Sequence, residues 1–235
     1  KVSVYRDVAD VQRNKLESLS GAFDSLVAAY ELEPDLSELE TELEELAALT
    51  GRDSELLETY EKAVLDVPDR EIGLRIKVAE LAEQRLGDLE KAIASYQEIL
   101  MQEPEHLEVM SALEKLLAVS ERYQDLAELY NQKLDVIEDE TLRSETYGLL
   151  ANVYEIHLSM PMEAIEVWRR QLEDNERHEV AFSELERLLT LTESFDELAA
   201  LYEEWIASTQ NAVDSIAVKS RLATLTINVL NDGIS

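Results

Sequence analysis

The sequence predicts an all-α protein in which antiparallel helical hairpins stack as a solenoid. Apolar residues recur at helical spacing along the chain, and no segment alternates as a strand would. Short breaks, several with proline or glycine, separate the helices. Self-similarity at a fixed period is the signature of a repeat architecture. One helix returns at offsets of 70, 72 and 72 residues, as Val8-Ala9-Asp10-Val11, Val78-Ala79-Glu80-Leu81, Leu150-Ala151-Asn152-Val153 and Leu222-Ala223-Thr224-Leu225.

The short links require neighbouring helices to run antiparallel, so each successive pair forms a hairpin. Pro34, Pro68 and Pro104 lie between helices, where a missing N–H costs little. Gly51 and Gly87 are placed to cap helix C-termini. Residues 1–235 are predicted to form one array, with hairpins at approximately 3–32, 36–66, 70–102, 106–137, 140–174 and 177–209 and a half repeat at 213–230.

Two kinds of hairpin alternate, which makes a four-helix block the true repeat. In one kind, the second helix has a small residue followed four positions later by a large one, as in Ala92 and Tyr96. In the other kind, a leucine is followed four positions later by a tyrosine, as in Leu56 and Tyr60. Because residues four apart share a helix face, these recurring pairs are expected to form the core.

These residues resemble the tetratricopeptide repeat family. The segment from Gly87 to Pro104 is similar to the second helix of that repeat, with Ala92 at the small position and Tyr96 at the aromatic one. Val78-Ala79 and Leu150-Ala151 are similar to the large-small pair of its first helix. The resemblance implies a right-handed superhelix whose concave groove takes peptides or protein segments.

The chain departs from the family pattern in two ways. One extra residue separates Ala82 from Ala92, and another separates Tyr154 from Ala164. The helices that contain Leu43, Leu113 and Leu185 also lack the expected small residue. The repeats are therefore expected to be degenerate.

Some positions on the first helix of the block change from repeat to repeat, whereas the packing positions barely vary. The resemblance implies that these variable columns face the groove and contact a partner; the alternative is that they are free to drift. The columns are Arg6, Ile76, Gly148 and Ser220; Asp10, Glu80, Asn152 and Thr224; and Arg13, Glu83, Glu155 and Ile227.

Trp205 is a further candidate contact with a partner. Its column reads Ala63, Lys133 and Trp205, and a position that changes this freely is expected to be partly exposed. Tryptophan is also a common anchor at protein interfaces.

The charge balance excludes several classes of partner. Asp and Glu number 52 against 21 Lys and Arg, which gives a net charge of −31. Such a field repels nucleic acid and anionic membrane surfaces, and no apolar run is long enough for membrane insertion. The acids are spread over every helix, so they form either a solubilising coat or a surface that attracts a basic peptide.

No catalytic or cofactor motif is present in the sequence. The chain has no cysteine, P-loop, nucleophile elbow, dinucleotide fingerprint or HExxH pattern. His106 and His178 lie 72 residues apart, each near a helix start, which predicts a structural helix-entry role. No metal, cofactor or enzymatic activity is therefore expected.

The predicted function is that of a non-catalytic scaffold that binds a protein or peptide segment. Alternatives are a regulatory or structural repeat array of a larger enzyme, a self-assembling element, and an RNA-processing array, which the acidity disfavours. The start at Lys1 favours a segment of a longer protein. Leu222, Leu225 and Val229 would then be covered by the remaining chain or by another copy. No signal specifies a compartment; a soluble protein is expected, with the cytoplasm favoured.

Overall fold

The computed structural model describes residues 1–208 and 212–227, with the backbone alone for 212–214. This part of the chain forms thirteen α-helices and no β-strand, which confirms the predicted all-α repeat fold. The predicted turn at 231–233 and the end of the last helix, including Val229, lie outside the described residues. The helices are α1 Val2–Asn14, α2 Leu19–Leu32, α3 Glu38–Thr50, α4 Asp53–Asp66, α5 Glu71–Leu81, α6 Leu89–Gln102, α7 Leu107–Val119, α8 Tyr123–Val136, α9 Glu140–Asn152, α10 Pro161–Asp174, α11 Glu179–Leu191, α12 Phe195–Ser208 and α13 Ala212–Leu225.

The chain divides into two compact units. The first, Lys1–Ser120, contains α1 to α7, and the second, from Glu121 onwards, contains α8 to α13. The boundary falls between the two helices of the predicted hairpin 106–137. One continuous array with a right-handed superhelix stays a prediction.

In the first unit, each helix from α1 to α6 packs on the next one in the chain. Ion pairs also join alternate helices. Arg13 Nη2 lies 3.0 Å from Glu45 Oε2, which links α1 to α3. Lys91 Nζ lies 2.5 Å from Glu61 Oε1, which links α6 to α4. Odd-numbered helices therefore form one layer and even-numbered helices the other.

The second unit repeats this arrangement from α8 to α13. Consecutive helices again pack in order. Arg221 Nη1 lies 2.7 Å from Glu186 Oε2, so α13 is joined to α11. Arg170 Nη1 donates to Asn131 Oδ1 at 2.8 Å and joins α10 to α8.

The recurring small and aromatic residues form the core, as predicted. Ala79 and Ala151 are 0% and 1% exposed, so α5 and α9 can approach their neighbours closely. Tyr60, Tyr130 and Tyr202 are also buried. None of the described helices combines the length and apolar content needed to cross a bilayer.

A π-helical turn accommodates the extra residue of the block. Ala82–Leu86 follows α5 and Val153–His157 follows α9, both in π-helical conformation. The Gly87 and Leu158 amides donate to the carbonyls of Ala82 and Val153, five residues earlier. Because a π turn takes one more residue than an α turn, the insertion leaves the helix hydrogen bonding unbroken.

Left-handed backbone conformations recur at helix ends with the same period. Gly51 and Gly87 have φ angles of 68° and 67°, so their predicted capping role is confirmed. Glu121 and Glu193 follow Gly51 at the block spacing, and both have φ of 55°. The turn geometry is thus conserved between repeats even where glycine is not.

Candidate functional site

The two in-phase histidines are helix caps. His106 Nδ1 accepts a hydrogen bond from the Val109 amide at 3.4 Å, and His178 Nδ1 accepts one from the Ala181 amide at 3.2 Å. Each ring satisfies an amide that the first turn of a helix leaves without a partner. The predicted structural role is therefore confirmed. Within residues 1–208 and 212–227, no three His, Asp or Glu side chains are placed to hold a metal ion.

Glu40 is the most buried carboxylate described, being 4% exposed. It accepts hydrogen bonds from Tyr30 Oη at 2.9 Å and Arg70 Nη2 at 2.5 Å, and Lys77 Nζ lies 3.4 Å away. Burial, together with the neighbouring Glu40 carboxylate, raises the pKa of Tyr30. A buried carboxylate is costly unless it is hydrogen-bonded and paired with a positive charge, and these three partners meet that need for Glu40 within the first unit.

The candidate residues on α1 are engaged by the neighbouring helix. Arg6 Nη1 lies 3.6 Å from Glu38 Oε2, and Arg13 pairs with Glu45, so acids of α3 neutralise both arginines. Asp10 is exposed. The basic start of the array that the sequence indicates is therefore partly cancelled within the fold.

The candidate residues on α5 and its π turn differ in exposure. Glu80 is exposed, whereas Ile76 and Glu83 are half-buried. Burial, followed by the Glu83 and Glu80 carboxylates, raises the pKa of Tyr96 to about 12.

In the second unit, the candidate columns are accessible to different degrees. Asn152 and Thr224 are exposed, and Ile227 is 65% exposed. Glu155 receives two hydrogen bonds from Arg187 of α11, at 2.9 and 2.6 Å. The candidates lie in two separately described units, and one groove that runs through all of them stays a prediction.

The expectation that Trp205 is partly exposed is wrong. Its side chain is 9% exposed and its ring stacks on Phe182 with centroids 4.2 Å apart. Ala63 and Lys133 of the same column are also buried, at 2% and 7%. A methyl group, the aliphatic stem of a lysine and an indole can each fill such a buried position. Variation along the column is therefore not evidence that the position is exposed to solvent.

Trp205 instead lies in the floor of a cleft in the second unit. The cleft has a volume of roughly 760 Å³ and runs between α10, α11 and α12. Its floor is apolar and its rim is acidic. We call it the α10–α12 cleft; the floor comprises Leu172, Leu185, Leu189, Leu201 and Trp205, and the rim comprises Glu173, Glu176, Glu197 and Glu204.

The negative charge on the rim is only partly compensated. Arg169 lines the cleft, and its Nη2 lies 2.5 Å from Glu197 Oε2. Glu173, Glu176 and Glu204 are exposed and have no basic partner among the described residues. The apolar floor and the uncompensated carboxylates on the rim suit a ligand that is both amphipathic and cationic.

The sequence pattern does not reveal this cleft, because its acids belong to two helices that are not neighbours in the chain. Glu173 and Glu176 are at the end of α10 and just beyond it, whereas Glu197 and Glu204 belong to α12. Each acid taken alone has the pattern of a solvated helix face. Trp205 was the one residue of the cleft that the sequence indicated, but it was chosen because its column varies and was expected to be exposed.

The chain is similar to several solved structures, and this likeness is one of fold. No family model and no curated protein matches the chain. The solved structures that it resembles include a tetratricopeptide repeat protein from Parabacteroides merdae, with 19% identity, coverage of 96% of this chain and 87% of that one, and a TM-score of 0.42. MamA protein shares 16% identity over 75% of this chain and 92% of its own, with a TM-score of 0.42.

A third similar structure is Naa15/Naa10 bound to HypK-THB, with 17% identity, coverage of 88% of this chain and 31% of that one, and a TM-score of 0.47. The predicted resemblance to tetratricopeptide repeats is a resemblance of fold, and the order of the helices described above establishes that fold.

Proposed function

We propose that the protein is a non-catalytic interaction scaffold that holds a basic, amphipathic segment of another protein. The α10–α12 cleft is the observation that carries this proposal. Apolar side chains of the bound segment contact the floor around Leu172, Leu201 and Trp205. Its lysines and arginines meet the carboxylates of Glu173 and Glu204 at the rim.

Two physical effects support this kind of ligand. A few large apolar anchors in a sheltered site usually supply most of the binding free energy. The net charge of −31 attracts cationic partners and accelerates their encounter, particularly at low salt. The same field repels phosphate groups, so nucleic acid is not proposed as a ligand.

The variable columns are proposed as further contacts of a bound segment. Asp10, Glu80 and Asn152 are exposed and present oxygen acceptors to solvent. Arg6, Arg13 and Glu155 already have partners within the fold, so we give them a smaller part in binding.

Binding to the α10–α12 cleft can be tested with a designed probe. The probe is a fluorescein-labelled amphipathic helical peptide with Leu and Trp on one face and Lys on the other, followed by fluorescence anisotropy. Its control carries Glu in place of each Lys. We expect the basic peptide to bind, the acidic peptide not to bind, and the affinity to fall as NaCl rises from about 50 to about 300 mM.

Variants distinguish binding at the cleft from general attraction. The pair Glu173→Lys and Glu204→Lys should weaken binding about tenfold or more, as should Ala200→Trp, which obstructs the cleft from an exposed position. The matched control is Glu58→Lys with Glu128→Lys, which changes the net charge equally at exposed sites away from the cleft. Equal weakening by both charge-reversal pairs, or no binding of the basic peptide, would refute the proposal.

The two structural alternatives stay predictions. A regulatory array of a larger enzyme and a self-assembling element are both compatible with the helical repeats. Sedimentation over a range of protein concentrations separates self-assembly from the proposed scaffold, because a binding module of this charge should remain monomeric.

A further inference from the structure

The α10–α12 cleft separates two parallel helices of one layer. Helix α11 lies beneath them, α9 packs on α10, and α13 packs on α12, so the cleft lies within the stack of described helices and not at its end. Helices α2 and α4 hold the equivalent positions in the first unit. Their Cα atoms approach within 8 Å of each other, whereas those of α10 and α12 stay farther apart than 8 Å.

An ion pair joins α2 and α4 at two positions that both carry acids in the second unit. Lys62 Nζ of α4 lies 3.2 Å from Glu31 Oε1 of α2. Two blocks later, Glu173 of α10 stands in the position of Glu31, and Glu204 of α12 stands in the position of Lys62. Both glutamates line the cleft. An attraction between neighbouring helices in the first unit is therefore replaced by a repulsion in the second.

The base that lines the cleft does not compensate this repulsion. Arg169 Nη2 lies 2.5 Å from Glu197 Oε2, and Arg169 Nε lies 3.7 Å from Glu166 Oε1, so its charge is directed to those two acids. Glu173 and Glu204 are exposed and have no basic partner in the part of the chain that the structure describes. The contact between α10 and α12 thus lacks the cation that completes the contact between α2 and α4.

One ammonium group can satisfy two glutamates at once in this fold. Lys77 Nζ lies 2.7 Å from Glu44 Oε1 and 3.4 Å from Glu40 Oε2. Burial would lower the pKa of Lys77, but the hydrogen bond from Lys77 to Glu44 and the charges of Glu44 and Glu40 outweigh it and raise that pKa. A lysine has three N–H donors that rotate freely, which suits it to bridge two separate carboxylates.

We propose that one lysine of the bound segment inserts between Glu173 and Glu204 and completes the contact that Lys62 completes in the first unit. This inference rests on the proposed function and names the group by which the cleft recognises its partner. The apolar side chains beside that lysine then reach the floor at Leu201 and Trp205. The lysine belongs to a different protein, because two copies of this chain, each with a net charge of −31, repel one another.

Peptides that carry a single lysine test this inference. They share the amphipathic helical sequence of the basic probe peptide and keep one Trp in place, but Gln replaces every Lys except one. The retained Lys moves along the polar face from one peptide to the next, and fluorescence anisotropy gives each affinity for the full chain. We expect one position to bind at least about tenfold more tightly than the others, because only one places its ammonium between the two carboxylates.

Single charge reversals locate the lysine. Glu204→Lys supplies the cation within the chain, where it pairs with Glu173, so it should weaken binding of the best peptide about tenfold or more. Glu203→Lys is the matched control, since Glu203 is the neighbouring residue of α12, is exposed and does not line the cleft. It should change the affinity less than about twofold.

Reversing both charges should reverse the preference of the cleft. The best peptide with Glu in place of its one Lys should bind the double variant Glu173→Lys with Glu204→Lys and should not bind the wild type. The original lysine peptide should show the opposite preference.

Glu204→Lys should also change the stability of the protein without any ligand. It replaces the repulsion between α10 and α12 with an ion pair like that of Lys62 and Glu31, so it should raise the melting temperature by about 1–3 °C more than Glu203→Lys does. Both variants change the net charge equally, so the difference between them isolates the contact. Circular dichroism measures the melting temperature and verifies that each variant is folded.

The outcomes separate this inference from the proposed function. If the basic probe peptide with all its lysines does not bind, both fail. If that probe binds, recognition of one lysine is refuted when no single-lysine peptide binds, when affinity is independent of the lysine position, or when Glu203→Lys and Glu204→Lys weaken binding equally. A dimer in sedimentation that Glu204→Lys dissociates would make a second copy the occupant and overturn the assignment to a different protein.

Discussion

Glu193 has a backbone φ of 55°, in the left-handed region that side chains ordinarily avoid. Gly51 occupies the same position in the first block with φ of 68°, and a Cβ there would meet nothing within 4 Å. The requirement is therefore one of backbone conformation and not of space. A Cβ in this region costs roughly 1–2 kcal/mol.

Replacing Glu193 with Gly should stabilise the protein. Relief of the backbone strain outweighs the greater freedom that glycine has in the unfolded chain, so the free energy of unfolding should rise by about 0.5–1 kcal/mol. Urea denaturation followed by circular dichroism measures it. Glu193→Ala retains the Cβ and is the control; a gain as large in that variant would show that strain is not the cause.

Asp174 stabilises the second unit in a pH-dependent way. It accepts hydrogen bonds from Tyr147 Oη at 2.7 Å and Arg143 Nε at 2.6 Å. Partial burial would raise the pKa of Asp174, but the hydrogen bonds from Arg143 and Tyr147 outweigh it and hold that pKa below its ordinary value. The stabilisation is thus present above the unfolded-state pKa and is lost as pH falls through the folded-state pKa.

Asp174→Asn should lower the free energy of unfolding by about 1 kcal/mol near neutral pH, since the charged acceptor is lost. The difference from the wild type should narrow as pH falls below the ordinary Asp pKa of about 4 and through the lower pKa of folded Asp174, where the wild-type carboxylate becomes protonated. Urea denaturation of both proteins across this range measures the gap. A gap that does not change with pH would contradict this account.

At the scale of the element, the π turns explain why the block departs from the tetratricopeptide spacing. The inserted residue remains within the helix, and the next helix begins in the same relation to the core. Ala92 and Ala164, at the start of the following helices, are both fully buried. The insertion therefore changes the local helix geometry and leaves the packing columns aligned.

Deleting Gln84, an exposed residue of the first π turn, should be tolerated. The turn can close as an ordinary α turn, so the thermal unfolding should remain cooperative with a similar helical signal at 222 nm. Deleting Glu80, an exposed residue within α5, is the control. It rotates the preceding residues by about 100° relative to the following ones and moves Leu74 and Val78 off their packing face.

The expected order is therefore a small loss of melting temperature for the Gln84 deletion and a large one for the Glu80 deletion. Equal losses would mean that the π turn itself is required by the packing.

A contact in which a buried tyrosine and a basic side chain share one glutamate also repeats between helices. Tyr60 Oη donates to Glu44 at 3.0 Å and Lys77 pairs with the same carboxylate at 2.7 Å. The contact returns two blocks later, where Tyr202 Oη donates to Glu186 at 2.5 Å and Arg221 Nη1 lies 2.7 Å from the same carboxylate. The acids that look like a solvated face in the sequence thus include acceptors for buried tyrosines.

At the scale of the whole molecule, the net charge of −31 opposes compaction. The ion pairs between alternate helices offset part of this repulsion, but exposed pairs contribute only about 0–1 kcal/mol each. The long-range repulsion among 52 acids should outweigh them.

Added salt should therefore stabilise the protein. Raising NaCl from about 20 to about 200 mM shortens the screening length and should raise the melting temperature by a few degrees. Thermal scans at several NaCl concentrations measure the change, with sucrose at matched osmolality as the control for effects that do not depend on charge. A melting temperature that falls with salt would show that the ion pairs dominate.

Short-range periodicity in the sequence was enough to predict the helices, their antiparallel pairing, the alanine and tyrosine columns, and the capping histidines. These features depend on which side chains share a face, and the spacing along one helix decides that. Only the tertiary structure placed Trp205 in a cleft floor, gathered Glu173 and Glu204 on one rim, and left Val8 exposed while Val78 is buried. Burial depends on whether another helix packs on a face, and the pattern of one helix does not contain that information.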